Sequence, residues 1–185
     1  MSLDLSRCTV EELWRFVAVH LEQRGIGVVL VGGAVVSVYT EGAYRSGDLD
    51  FVREEFFAED LPEAMSEIGF EREGRHYRHP ECGHLFVEFV AGPVGIGADT
   101  GIVPAQVVSA GTTIKLLSPT DSVRDRLAGF IHFGSRDYMD QAVMVASAHG
   151  IDWRKVERWS RNEGPGGPAA YAELRRRVEE ERERT

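Results

Sequence analysis

Two aspartates at alternate positions are the residues whose types and spacing most clearly suggest chemistry. Asp48 and Asp50 lie in the segment 48–52, of sequence DLDFV, whose apolar residues predict a β-strand. Side chains two residues apart on a strand share a face, about 6 to 7 Å from each other. Because neighbouring like charges repel and lose hydration when buried, a divalent cation is the simplest way to stabilise them. Mg²⁺ prefers such carboxylate oxygens and also binds phosphate. The alternative is a pair of solvated aspartates on an edge strand.

A third acid, Glu88, interrupts the otherwise apolar segment 85–90, of sequence LFVEFV. A carboxylate on such a strand needs a partner, a proton or a metal, and an ion pair with an arginine is the alternative to a metal. With Asp48 and Asp50, Glu88 would form a cluster of three carboxylates on neighbouring strands. Two metal ions about 3.5 to 4 Å apart in such a cluster can activate an attacking hydroxyl and stabilise a leaving pyrophosphate.

A glycine pair, Gly32-Gly33, follows the apolar segment 27–31 and precedes a segment, 34–39, that we interpret as a helix. Backbone N–H groups at a helix start can approach a phosphate closely where no side chain intervenes. An ordinary tight turn is the commoner reason for such a pair. The aspartates that follow favour the phosphate interpretation.

Composition limits the class of protein. The 185 residues fit one domain, or one core with a small helical appendage. The net charge of −9 argues against a broad basic surface for nucleic acid. We expect a cytoplasmic protein without a membrane segment, because no apolar run approaches about 20 residues and the start lacks the apolar core of a signal peptide. With only Cys8 and Cys82, a disulfide framework is not expected.

Periodicity and capping signals predict the elements that position these residues. Thr9 and Glu12 form a capping box that begins a helix ending at Gly25. The other predicted elements are strands at 27–31, 48–52, 106–108 and 113–116, a helix at 61–68, a hairpin with arms 70–77 and 85–90, three helices after Ser118, and an exposed or frayed helix at 169–185. This pattern predicts an α/β (α+β) fold, with a small mixed sheet, packed helices and a helical C-terminal part. We divide it into a core (1–117), a helical part (118–163), and a linker with a charged terminal helix (164–185).

The order of the two glycines, the two aspartates and the later glutamate resembles the nucleotidyltransferase-fold superfamily, whose palm is related to that of DNA polymerase β. The segment 44–50, of sequence YRSGDLD, is similar to the minimal and toxin-like bacterial branches, including the AbiEii type. The resemblance covers about residues 27–146 and makes 1–117 a nucleotidyltransferase-like core.

The resemblance implies a metal-dependent transfer of a nucleoside monophosphate from an NTP to an acceptor hydroxyl. Asp48, Asp50 and Glu88 would hold Mg²⁺, and Glu88 would also help to deprotonate the acceptor. Five further residues would bind the nucleotide: Gly32 and Gly33 would cradle the triphosphate, and Ser46, Lys115 and Arg126 would neutralise phosphate charge. The acceptor could be a small molecule, a tRNA or a protein, and an antitoxin is a possible protein partner.

Two other functions remain open. Fourteen residues separate Gly33 from Asp48, a longer spacing than is common in the superfamily, which favours a catalytically degenerate module that binds a nucleotide or a protein. The four residues His76, His79, Cys82 and His84 instead suggest a zinc-stabilised interaction module at a hairpin tip.

Overall fold

The computed structural model describes residues 3–54 and 60–184. These residues form seven helices and seven strands, in the order α1 (Val10–Gln23), β1 (Val28–Val31), α2 (Gly32–Tyr39), β2 (Asp48–Arg53), α3 (Leu61–Glu67), β3 (Glu71–Glu73), β4 (His76–His79), β5 (Cys82–Ala91), β6 (Ala105–Ser109), β7 (Thr112–Leu116), α4 (Pro119–Phe133), α5 (Arg136–Ala148), α6 (Trp153–Ser160) and α7 (Gly167–Arg184). The predicted α/β fold with a mixed sheet is confirmed. The predicted division into a core, a helical part and a terminal segment stays a prediction. Its end residues Met1, Ser2 and Thr185 lie outside the described residues.

The seven strands form one sheet in the order β3-β4-β5-β2-β1-β7-β6. β2 runs antiparallel to β1 and parallel to β5, and β1 runs parallel to β7. The remaining neighbours are antiparallel. Because β1 and β2 run in opposite directions, the end of β1 lies beside the start of β2. The glycine pair and the aspartates therefore meet at one end of the sheet.

Helix starts follow the predicted capping chemistry. The Thr9 hydroxyl accepts a hydrogen bond from the Glu12 N–H, and the Glu12 carboxylate accepts one from the Thr9 N–H, so the capping box is confirmed. Ser118 caps α4 by accepting from the Asp121 N–H, with Pro119 at the first helical position. Each cap satisfies backbone donors that the helix leaves unpaired.

The hydrophobic core lies on one face of the central strands. Leu49 and Phe51 of β2 are fully buried there with Leu30 of β1 and Val87 of β5. Helix α1 packs against β7, and α2 packs against β1 and β2. Since side chains alternate along a strand, Asp48 and Asp50 point to the opposite face. The periodicity that buries Leu49 and Phe51 thus presents the two aspartates outside the core.

The region after α3 differs from the predicted single hairpin. The predicted arm 70–77 is split by a tight turn at Gly74 into β3 and β4, so that three strands form two successive hairpins with β5. Gly74 has a φ of 64°, a left-handed conformation that glycine adopts without steric cost. Phe70 and Tyr77 are the apolar residues of the segment 70–77, so it offers too little periodicity to separate two short strands from one longer arm.

The terminal helix is packed, not frayed as the charge pattern predicted. Three residues of α7 at successive four-residue intervals, Ala170, Leu174 and Val178, are buried, and the helix contacts α4, α5 and α6. A narrow apolar stripe at this spacing suffices to bury one face of a helix. Among the described helices, including this long one, none combines the length and apolar character that crossing a membrane requires.

A buried ion network fixes the start of α4 to its surroundings. Arg124 and Asp121 are each 1% exposed, and Arg124 Nη1 donates to Asp121 Oδ1 at 2.6 Å. Arg124 also pairs with Asp99, and Lys155 Nζ of α6 lies 2.8 Å from Asp121 Oδ1. Burial alone would raise the pKa of Asp121, but hydrogen bonds from Lys155, Ser118 and Arg124 outweigh it and lower the pKa. The network therefore holds together the loop before β6, α4 and α6.

Replacing Arg124 by methionine should destabilise the protein by about 3 kcal/mol, because Asp121 would remain buried with one cation fewer. Urea denaturation measures this change in the free energy of unfolding. The control is Arg176→Met, which removes a 60% exposed arginine from an i,i+4 pair on α7 and should change stability by less than about 0.5 kcal/mol. Equal effects of the two substitutions would contradict a structural role for the network.

Candidate functional site

The three predicted acids come together through strand register. Asp50 of β2 is paired with Val31 of β1 on one side and with Glu88 of β5 on the other. Neighbouring strands lie about 4.8 Å apart, so Asp50 and Glu88 stand side by side. Asp48 precedes Asp50 by two residues and shares its face. The structure thus brings Asp48, Asp50 and Glu88 to one face at one end of the sheet.

The pKa of Asp50 reflects both its burial and the negative charge around it. Burial, followed by repulsion from Asp48 and then from Glu88, raises the pKa of Asp50 to about 6. Arg126 of α4 acts in the opposite direction, and Asp125 adds to the rise. Asp50 therefore interacts with both other acids, and Arg126 at α4 lies close enough to oppose their charge.

The glycine pair lies directly against the acids. Gly32 has a φ of 73°, and a Cβ atom built on it would lie 2.6 Å from Asp50 Oδ2. A Cβ on Gly33 would lie 3.0 Å from Ser46 Oγ. Both the backbone conformation and the Asp50 carboxylate require glycine at position 32. The predicted glycine turn at the start of α2 is thus part of the acid site.

Ser46 orients one of the acids. Its hydroxyl donates to Asp48 Oδ1 at 2.9 Å, and its N–H donates to the Ser37 hydroxyl at 2.9 Å. Ser46 is only 8% exposed. These bonds fix the Asp48 carboxylate at the start of β2, whereas the predicted contact of Ser46 with phosphate stays a prediction.

Arg126 is held beside the acids by several residues that sequence reasoning did not include in the site. Its Nη2 lies 2.6 Å from Asp125 Oδ2, its Nη1 donates to Gln141 Oε1 at 3.2 Å, and its guanidinium lies 4.9 Å from the ring centroid of Tyr138. Arg126 thus brings a positive charge to the acid face, held in place by α4 and α5.

Tyr44 is a second site residue that the sequence analysis did not single out. Its hydroxyl would lie 3.4 Å from a Cβ on Gly33. Burial raises the pKa of Tyr44, Arg126 opposes this, and Asp48 adds to it. The signal available in the sequence was its position two residues before Ser46, since the loop that places Ser46 against Gly33 also carries Tyr44.

Lys115 has other partners than the predicted phosphate. Its Nζ lies 2.6 Å from Glu54 Oε2 and 3.6 Å from Glu22 Oε1. Lys115 pairs in register with Val29, and the Glu54 N–H donates to the Gly27 carbonyl, at the end of β1 away from Gly32. The structure therefore does not bring the Lys115 ammonium group to the acids, and its phosphate role stays a prediction.

Glu88 has an arginine and a histidine as neighbours of its own. Arg75 Nε lies 3.8 Å from Glu88 Oε1, and His76 Nδ1, which is paired in register with Glu88, lies 3.4 Å from Oε2. The Arg75 side chain is 85% exposed, so this arginine is a weak competitor for the carboxylate. Glu88 is thus shared between the acid cluster and β4.

The predicted ligand group of His76, His79, Cys82 and His84 is not assembled. On the β4–β5 ladder His79 pairs with Cys82, but His76 pairs with Glu88, six residues further along β5. The His79 ring accepts a hydrogen bond from the Glu81 N–H and packs against Phe70. The hairpin itself separates these residues, because its ladder spreads them along the strands.

Cys82 and His84 instead meet Cys8, from the segment before α1. Among residues 3–54 and 60–184, these three form the one group of His, Cys, Asp and Glu side chains whose ligand atoms all lie within 4.8 Å of one another. The oxygens of Asp48, Asp50 and Glu88 converge less tightly than this.

A cavity of about 710 Å³ adjoins the acid site. Tyr44, Ser46 and Arg45 form part of its wall, and Cys8 and His84 form another part. Ser46 separates the cavity from Asp48, to which it donates. The volume lies within the roughly 300 to 1,000 Å³ of small-molecule sites.

Replacing Asp50 by asparagine should change how stability depends on pH. The folded-state pKa of about 6 exceeds the ordinary 3.8, so the wild-type protein loses stability as pH rises from about 4 to about 6. Asp50→Asn removes this loss and should be more stable than wild type by about 1 kcal/mol at pH 8, after allowance for solvent screening, and no more stable near pH 4. Thermal unfolding across this range, without divalent metal, measures the difference.

The control is Asp140→Asn on α5, whose side chain is 54% exposed. If the stability difference between Asp50→Asn and wild type were the same at both pH values, the raised pKa of Asp50 would be contradicted.

Replacing Gly32 by alanine should cost more than replacing Gly42 by alanine. Both glycines have positive φ, 73° and 79°, but a Cβ at Gly42 has no atom within 4 Å whereas one at Gly32 meets Asp50. The shared backbone strain amounts to about 1 kcal/mol, and the contact with Asp50 adds to it at position 32 alone. Urea denaturation of both variants isolates this second contribution. Equal losses would mean that the Asp50 carboxylate moves aside without cost.

Two solved structures share this fold. The crystal structure of an antigenic nucleotidyltransferase-like protein from Paracoccidioides brasiliensis matches with a TM-score of 0.63 and 18% identity, over 89% of this chain and 86% of that one. The solution structure of the antibiotic-resistance factor ANT(2'')-Ia matches with a TM-score of 0.51 and 12% identity, over 99% of this chain and 100% of that one. No protein-family model and no curated protein matches the sequence. The mixed sheet with its packed helices is therefore a nucleotidyltransferase-like fold.

Proposed function

We propose that this protein is a metal-dependent nucleotidyltransferase that moves a nucleoside monophosphate from an NTP to an acceptor hydroxyl. The observation that carries this proposal is the position of Asp50, which is opposite Glu88, two residues from Asp48 and directly against Gly32. Negative charge and a glycine turn at a helix start then share one end of the sheet. A divalent cation is what allows a carboxylate cluster to receive a triphosphate.

The residues present fit Mg²⁺ by donor type and by charge. Asp48, Asp50 and Glu88 offer hard carboxylate oxygens, and burial together with repulsion from the other two acids raises the pKa of Asp50 to about 6 despite the opposing charge of Arg126. When bound, Mg²⁺ would neutralise phosphate charge and lower the pKa of an attacking hydroxyl. Glu88 would have to loosen its contacts with Arg75 and His76 to serve as a ligand.

The chain's own residues would position the reactants. Backbone N–H groups at Gly32 and Gly33 would bind phosphate oxygens, and Arg126 would offset phosphate charge from α4. The acceptor oxygen attacks the α-phosphorus, the bond from that phosphorus to the bridging oxygen breaks, and pyrophosphate leaves. Glu88 would take the acceptor's proton. Lys115 would contribute only after leaving Glu54.

The cavity beside Ser46 is a suitable place for the acceptor. Its wall carries both signs of charge, with Glu11 and Glu41 as well as Arg7 and Arg45. A polar small molecule with hydroxyl groups fits such a lining and such a volume better than a tRNA does. This favours a small-molecule acceptor among the three classes.

A second candidate is a binding module without chemistry. The contacts of Glu88 with His76 and Arg75, and of Lys115 with Glu54 and Glu22, favour it, because they occupy two of the predicted site residues. Calorimetry that finds NTP binding independent of Mg²⁺, with no label transfer, would support this module.

The AbiEii-type branch, an antitoxin partner and a cytoplasmic location remain predictions from the sequence. The toxin version of the proposal requires growth arrest on expression that depends on Asp48. Arrest that survives Asp48→Ala would contradict it.

The test of the proposed transfer is incubation with each α-labelled NTP, Mg²⁺ and cell extract. Wild-type protein should transfer label to an acceptor, and Asp50→Asn and Glu88→Gln should reduce the rate by at least about 100-fold, because each removes a ligand charge. Added Mg²⁺ should also raise the melting temperature of wild type but not of Asp50→Asn.

The matched control is Glu73→Gln, which alters an exposed glutamate on β3 of the same three-stranded segment as Glu88. It should transfer label at the wild-type rate. Label transfer that persists in Asp50→Asn, or that needs no divalent metal, would refute the proposal.

A further inference from the structure

Two buried thiols and one imidazole meet beside the cavity. Cys8 and Cys82 are 5% and 1% exposed, and their Sγ atoms lie 3.9 Å apart. A ring nitrogen of His84 completes a group whose ligand atoms all lie within 4.8 Å of one another. The three residues come from two parts of the chain, the segment before α1 and strand β5.

We propose that Cys8, Cys82 and His84 bind a Zn²⁺ ion. Two sulfurs on one tetrahedral zinc, each with a bond of about 2.3 Å, lie about 3.8 Å apart, and the two Sγ atoms here are separated by 3.9 Å. A disulfide would need the sulfurs at about 2.05 Å. Thiolate and imidazole ligands favour zinc over Mg²⁺ or Ca²⁺, which take oxygen.

Charge favours a divalent ion at this position. On binding, each thiol loses its proton to solvent, and the two thiolates and Zn²⁺ form a group of zero net charge. A neutral group can be buried at far lower cost than an isolated thiolate. No cationic side chain would then be needed at the two buried sulfurs.

A hydrogen bond already orients the third ligand. His84 Nε2 lies 2.9 Å from the Cys8 carbonyl oxygen, which links the imidazole to the backbone of another ligand residue. Zinc-bound imidazoles commonly make such a bond with their second ring nitrogen. Cys8 and His84 also line the cavity, so water can reach a fourth coordination position.

The proposed ion would join the segment before α1 to β5. Cys8 directly precedes Thr9, which caps α1, so the metal would connect the start of this helix to the sheet at the cavity wall. This site uses sulfur and nitrogen donors and shares no residue with the acid cluster. Its test is therefore independent of nucleotidyl transfer.

The experiment uses the full chain, purified without chelator and kept reduced with a phosphine. We expect about one zinc per chain by elemental analysis. After chelator treatment, added Co²⁺ should produce the visible absorption of a tetrahedral thiolate site, and Zn²⁺ should abolish this absorption by displacing the Co²⁺. Zn²⁺ should also raise the melting temperature.

Cys8→Ser and His84→Ala should each lose the cobalt spectrum and most of the bound zinc. The matched control is His79→Ala, a histidine on the same hairpin that lies outside the group and should keep full metal content. Reduced wild-type protein that binds neither Zn²⁺ nor Co²⁺ would overturn the proposal, whether or not Cys8 and Cys82 form a disulfide once the reductant is removed. Loss of metal from His79→Ala equal to that from His84→Ala would overturn the assignment of the ligands.

Discussion

The pairing of β2 with β5 is the constraint on which the site depends. Parallel register sets Asp50 beside Glu88, and antiparallel pairing with β1 brings Gly32 against the same carboxylate. Like charges at such close positions oppose strand pairing. The apolar residues on the other face, Leu49 and Phe51, stabilise the register, since a slip by one residue would expose them and bury the acids.

The surrounding contacts divide the acids into different roles. Asp48 is oriented by Ser46, whose backbone is in turn bound to Ser37, so this carboxylate is rigidly placed. Glu88 is shared with His76 and can exchange partners. Asp50 is flanked by both of them, and burial together with their charge raises its pKa.

The C-terminal helices contribute to the site mainly by positioning the side chain of Arg126. Arg126 reaches the acid face because α4 is fixed by the buried network of Arg124, Asp121 and Lys155. Gln141 and Tyr138 of α5 then hold the Arg126 guanidinium. The position of the Arg126 charge is thus supported by contacts among three helices.

The cavity links two sites of different chemistry. On one side Ser46 connects it to the hard oxygen donors of the acid cluster, and on the other Cys8 and His84 present softer donors. Because ligand softness separates magnesium from zinc, the two sites would not compete for one ion. The shared wall means that a change in one site can alter the shape of the cavity that serves the other.

Local patterns were enough to predict much of the fold. The capping box at Thr9, the alternation in β2 and the helix start at Ser118 act over a few residues, so the sequence alone determined most elements, the face shared by Asp48 and Asp50, and the glycine turn before them. The turn at Gly74 and the packing of α7 were missed, because a glycine within a polar segment and a narrow apolar stripe give weak local signals.

Only the tertiary structure decided which distant residues meet. Strand order and register set Glu88 opposite both Asp50 and His76, directed Lys115 to Glu54, and brought Cys8 to Cys82 across 74 positions of sequence. Sequence periodicity specifies which way a side chain faces along its own element. It carries no information on which strand lies alongside, because that depends on the packing of the whole core.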